Sequence, residues 1–199
     1  MVYFQTLKEI LINPVSALAK AKRERNLNKT LIVLLVDWVI FALAALVVSR
    51  LLSTLATRGA SFLLAPIVFF LGFLGSLFFA LLTQILFDIL GGKGKYFEAL
   101  TPLAYSKFAL SLGVFLASLF SMLPFIGLLL SLVVLSLFGA MGISIFYRGI
   151  KEMFGIDMIT TWVGIGLLVL VLVFSFYASV MLFGISSGFL SQRLMGLLY

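Results

Sequence analysis

The sequence contains neither cysteine nor histidine. That removes disulfides, thiolate nucleophiles and metal sites built on thiolate or imidazole. It identifies no redox compartment; it says only that the fold needs no such staple. Charge is scarce too: 11% of the residues are Asp, Glu, Lys or Arg, against 63% that are hydrophobic. A water-soluble domain of 199 residues could not hide that much apolar surface. What the chain does have is a series of apolar runs, each long enough for the roughly 20 residues a helix needs to cross a bilayer core. The short alternating segments of a membrane β-barrel are missing. The expected fold class is an all-α integral membrane protein, a bundle of five transmembrane helices with a short N-terminal amphipathic helix on the cytoplasmic side.

The chain divides into a basic, amphipathic tail over residues 1–29 and a membrane domain over 30–199. In the tail, Tyr3, Leu7, Ile10 and Leu11 share one face of a helix from Val2 to Ile12. Asn13-Pro14 then predicts a restart, with Asn as N-cap and Pro as the first helical residue. Spans are expected at 30–52, 62–90, 102–123, 125–147 and 162–184. Gly91 to Lys95 reads as a flexible inner turn, and Tyr96 to Leu100 as a separate surface helix. Thr101-Pro102 opens the third span, with Lys107 snorkelling to the surface. Pro124 makes the turn into the fourth span. Arg148 to Thr161 is a polar loop, and Ile185 to Tyr199 a short tail. A cleaved signal peptide is not expected, because the first apolar stretch is too long and starts too late.

Charge placement orients this layout. The net charge is +7, and with the N-terminus inside, eleven basic residues fall on the inner segments against Arg50, Arg58 and Arg193 outside. That is the asymmetry of the positive-inside rule. The expected location is a prokaryotic cell membrane, multi-pass, with the N-terminus cytoplasmic and the C-terminus outside. Lys20, Lys22, Arg23, Arg25, Lys93, Lys95, Arg148 and Lys151 form a candidate surface for lipid headgroups or a partner. Since these bases lie beside apolar segments, anionic lipids explain them more simply than nucleic acid, which is not an expected partner. A protein docking at the inner loops, or a second subunit of the same or another kind, remains open.

Two further patterns lie inside the spans. Ala109, Gly113, Ala117 and Ser121 recur every fourth residue in the third span, as do Ser136, Ala140 and Ser144 in the fourth. Small residues let helices meet closely in lipid, so these ladders predict a tight hairpin about Pro124. Asp37 lies about two turns inside the first span, where an acid is expensive and faces protein or water. Gln84 comes to similar depth on the second span, with Thr83 beside it and Asp88 one turn nearer the surface. Asp37, Thr83, Gln84 and Asp88 form a candidate intramembrane polar site. It reads either as a proton, ion or headgroup site or as a hydrogen-bonded group that sets helix register. Catalysis is not expected, since no base, nucleophile and metal come within mutual reach, and no cofactor is implied. Gly91 to Lys95 lacks the spacing and the following Ser or Thr of a phosphate loop.

Three stretches carry a resemblance. Leu7-Lys8-Glu9-Ile10-Leu11-Ile12-Asn13-Pro14 looks like a short helix ending in proline ahead of a first span. Leu86-Phe87-Asp88-Ile89-Leu90-Gly91-Gly92-Lys93-Gly94 is similar to a glycine-glycine-lysine loop after a second span, and Leu103-Ala104-Tyr105-Ser106 to the tyrosine-containing start of a third. In this order, over nearly the whole chain, they resemble the Yip family, membrane proteins named for interaction with Ypt/Rab GTPases. The resemblance implies a non-enzymatic membrane protein that organises membranes or recruits partners. The family's proline after the tyrosine is replaced here by Lys107-Phe108-Ala109. The tail ahead of the first span also lacks the longer cytosolic region of eukaryotic members, which points to the prokaryotic branch. Two other readings stay open: a small transporter, channel or lipid-translocating protein using Asp37, Gln84 and Asp88, and a structural subunit of a membrane complex.

Overall fold

The computed structural model describes residues 2–52, 58–175 and 177. Two short helices, α1 (Val2–Ile12) and α2 (Pro14–Glu24), precede α3 (Leu27–Leu52), α4 (Arg58–Ile89), α5 (Tyr96–Phe120) and α6 (Gly127–Phe154). A last helix, α7, is described over Met158–Ser175, and each of α3 to α7 is long and apolar enough to cross a membrane. The expected C-terminal tail, 185–199, and the end of the fifth span lie outside the described residues. The chain divides into two compact units, Met1–Thr161 and Trp162–Tyr199. α7 begins at the junction of the two, with Asp157 as its cap: the carboxylate accepts the Thr160 N–H at 3.0 Å.

In the first unit α5 is the central helix, touching α3 and α4 as well as α6. It is accordingly buried along its length, from Ala99 and Leu100 through Tyr105 and Phe108 to Ala117. A mainly apolar helix with no polar face belongs in such a place. α4 instead leaves one face open: Phe70, Leu71, Leu74, Phe78, Leu81 and Ile85, three and four apart, are all exposed. In water that stripe would be unstable; against acyl chains it is the natural outer surface.

The local signals around α1 and α2 hold. α1 ends at Ile12, Asn13 caps α2 by accepting the Ser16 N–H at 3.3 Å, and Pro14 is the first residue of α2. Two expected boundaries need correction. Tyr96 to Leu100 is not a separate surface helix but the first turn of α5, which runs through Pro102 without a break. Pro102 costs that helix one hydrogen bond, to the Glu98 carbonyl. The turn ahead of it is held because the Glu98 carboxylate accepts the Lys95 N–H at 3.0 Å and pairs with Arg25 at 2.7 Å. Likewise Arg148 to Phe154 is not loop: α6 continues through it to a left-handed C-cap at Gly155, φ 66°. No residue before Gly155 breaks a helix, and polarity alone does not end one.

The α5–α6 hairpin forms about the turn at residues 121–126, but one of its two small-residue ladders faces elsewhere. Ala109, Gly113 and Ala117 are buried, and a Cβ on Gly113 would stand 2.3 Å from the Phe138 Cβ. Ser136, Ala140, Ser144 and Ser121, by contrast, are exposed. α6 meets α5 through Ser131, Phe138, Gly142 and Gly149 instead. Ser131 donates to the Ala117 carbonyl at 2.7 Å, and a Cβ on Gly142 would lie 3.1 Å from the Ser106 carbonyl oxygen. Both stripes have the right spacing, and only the rotation of α6 about its axis selects between them.

Candidate functional site: an intramembrane ion pair beneath a basic end

α3 and α5 run parallel, because the antiparallel α4 joins them. Their register is set near one end, where Thr30 and Thr101, both buried, stand 3.2 Å apart. Thr101 gives its own proton to the Phe97 carbonyl at 2.9 Å, so Thr30 is the donor between them. Nearly two turns further along each helix, roughly 10 Å at the helical rise, come Asp37 and Lys107. Asp37 is 1% exposed, and its Oδ2 lies 3.8 Å from the Lys107 ammonium without accepting a hydrogen bond. Lys107 donates to Ser76 of α4 at 2.6 Å and sits 3.7 Å from the centroid of the Trp38 ring. Trp38 in turn donates its indole N–H to the same Ser76 oxygen at 2.9 Å, and Ser76 passes its own proton to the Gly72 carbonyl at 2.8 Å. Three helices are thus joined by one hydroxyl and one ammonium. Gly72 makes room for the indole: a Cβ there would fall 2.1 Å from the ring.

The structure divides the four residues expected to cluster. Asp37 pairs with Lys107. Thr83 is buried and turns its hydroxyl back to the Phe79 carbonyl at 2.8 Å. Gln84 donates to Asp88 at 3.4 Å at the exposed end of α4. Lys107, Ser76 and Trp38 are what sequence reasoning missed. Lys107 does not snorkel out; its side chain is 25% exposed and turned to Asp37. The signal was present in the start of α5. With Tyr96 as the first helical residue, Lys107 lies three turns inside, too deep to reach water easily, and an intramembrane cation calls for an anion.

Above this pair lies the end of the first unit where α1, α2, the Gly91–Lys95 turn and the close of α6 meet. The turn is not the flexible element expected. Gly91 takes φ 87°, the Gly92 N–H returns to the Phe87 carbonyl at 2.8 Å, and the Lys93 N–H reaches the Phe154 carbonyl of α6 at 3.1 Å. The Phe87 and Phe154 rings stand 5.3 Å apart, and a Cβ on Gly94 would meet the Phe154 ring at 2.5 Å. α2 docks beside them through Ala17, Leu18 and Ala21. Gly149 admits it: a Cβ there would lie 2.6 Å from Pro102 and 3.2 Å from Leu18.

The eight bases expected on one surface fall into two groups. Lys20 pairs with Glu9 at 3.6 Å, Arg25 with Glu98, and Lys22 donates to the Glu152 carbonyl. The first closes the α1–α2 hairpin on itself, and the other two hold it to α5 and α6. Lys29, nearby, pairs with Glu24 at 2.9 Å, and that contact keeps the Glu24 carboxyl below its ordinary range. Arg23, Lys93, Lys95, Arg148 and Lys151 are exposed and form no ion pair among the described residues.

Among the described residues every element is a helix, five are long and apolar enough to span, apolar side chains turn outward and charge apart from Asp37 and Lys107 lies toward the helix ends; this is a multi-pass integral membrane protein. Residues 8–183 match the family model of the Yip1 domain, and the chain belongs to that family. No curated protein and no solved structure matches it.

Proposed function

We propose that this protein is a non-enzymatic organiser of its membrane that recruits partners at its basic end, which faces the cytoplasm. The observation that carries the reading is the division of labour among the bases. One set is engaged in closing the α1–α2 hairpin and docking it onto the bundle, and a second set, Arg23, Lys93, Lys95, Arg148 and Lys151, is left exposed on the ordered surface so made. A surface held this firmly by Gly92, Gly94 and Gly149 is suited to presenting charge rather than to moving. Membership of the Yip1 domain family supports a membrane-organising role.

Transport through Asp37, Gln84 and Asp88 is less well supported, since Asp37 is matched by Lys107 and Gln84 and Asp88 bond to each other at the end of α4. A structural subunit of a larger complex would use the same basic end.

The chain has no cysteine, so single cysteines at Lys95 or Arg148 place a crosslinker on that end alone. Crosslinking in the native membrane, followed by purification, should capture a specific protein from both positions. Recovery of lipid alone from both would end the partner-recruiting reading.

A further inference from the structure

Between α2 and the close of α6 lies an open groove of about 480 Å³, within the roughly 300–1,000 Å³ of small-molecule sites. It is lined by the apolar residues Ala19, Gly155 and Ile156 and by the charged residues Lys22, Arg23, Lys151 and Glu152. We propose that this groove is a site for the phosphate of an anionic glycerophospholipid. The inference rests on the membrane-organising reading and gives its basic end a defined ligand.

Three cations and one carboxylate line the groove, so it favours an anion. Lys22 is fixed by its bond to the Glu152 carbonyl, which uses one of its three N–H groups and leaves two for a ligand. Arg23 and Lys151 have no partner among the described residues and approach from opposite helices. A guanidinium offers paired donors that match two phosphate oxygens, and an ammonium adds a point charge from the far side. Glu152 repels a second negative charge, which suits a phosphodiester better than a dianionic monoester.

The remaining lining argues for a lipid rather than a soluble phosphate, since Ala19, Gly155 and Ile156 are apolar. Met158 and Ile159, next along the chain after Asp157, are exposed apolar side chains as well. Lys151 stands in the last turn of a helix long enough to span, so the groove sits where headgroups lie. A phosphate held by the cations leaves its glycerol carbons to the apolar part of the same lining.

The test titrates fluorescent phosphatidylglycerol into the full-length protein in zwitterionic micelles. The doubly substituted Arg23→Gln, Lys151→Gln variant is compared with Lys93→Gln, Arg148→Gln, which removes equal charge from the same end outside the groove. Both pairs are exposed, so melting temperatures should match the parent. The groove variant should bind at least roughly tenfold more weakly, because it loses two charge-assisted contacts to the phosphate, and the control variant should stay close to the parent. Equal losses in both would mean diffuse surface charge and overturn the groove, while leaving the partner-recruiting reading to its own crosslinking test. Loss in neither would overturn it as well. Displacement of the lipid by millimolar glycerol phosphate or inorganic phosphate would make a soluble phosphate the ligand and overturn the lipid assignment.

Discussion

Asp37→Asn would leave the Lys107 ammonium with Ser76 and the Trp38 ring but no counter-charge, in apolar surroundings. A lone charge at depth in a helix costs roughly 2.5–3.5 kcal/mol on insertion scales, so the variant should melt lower in detergent and accumulate less. Lys107→Met strands Asp37 in the same way. The double variant, Asp37→Asn with Lys107→Met, should recover much of the loss, because breaking a buried pair is worse than removing it. A double variant as unstable as the sum of the singles would show that the two side chains are not coupled. The sequence made Asp37 visible as an unusual residue. It did not identify its partner, because the depth of Lys107 depends on where α5 starts and nothing in a linear reading turns that side chain toward α3. The Thr30–Thr101 contact, which brings the two to one level, joins residues far apart in the chain.

At the scale of elements, glycines decide how closely helices approach. Gly113→Ala should destabilise the α5–α6 hairpin by roughly 1–3 kcal/mol through overpacking, since the added Cβ runs into the Phe138 Cβ, which cannot swing away. Gly139→Ala, on the α6 side of the hairpin, adds a methyl where nothing lies within 4 Å. It should be neutral, or stabilise by the ~1 kcal/mol by which alanine exceeds glycine as a helix former. Thermal melts of the two variants beside the parent make the comparison. Helix existence was legible from apolar run length, and the start of α2 from Asn13-Pro14. The faces of α6 were not: Ser136, Ala140 and Ser144 have the spacing of a contact stripe, yet lie exposed while Ser131, Gly142 and Gly149 meet α5. Spacing defines a stripe, and the large Phe138 wedged against Gly113 sets which stripe turns inward.

For the whole molecule, the basic excess at one end predicts its sidedness. In intact cells, a membrane-impermeant thiol reagent should label Met122→Cys, in the turn between α5 and α6. It should reach Lys95→Cys and Lys151→Cys only after permeabilisation. Labelling in the reverse sense would invert the orientation and move the proposed partner surface outside. The sequence by itself determined that the chain is helical, that it lives in a membrane, that it crosses five times and that positive charge collects beside particular segments. These follow from composition, run length and charge order, which depend only on neighbours along the chain. Only the tertiary structure decided that Asp37 answers to Lys107 rather than to Gln84 and Asp88, that Gly91 to Lys95 is pinned to Phe154, and which bases are consumed in docking α2. Each of these depends on the rotation and register of one helix against another. Side-chain volumes and a few hydroxyl contacts set that register, and hydropathy along the chain does not encode it.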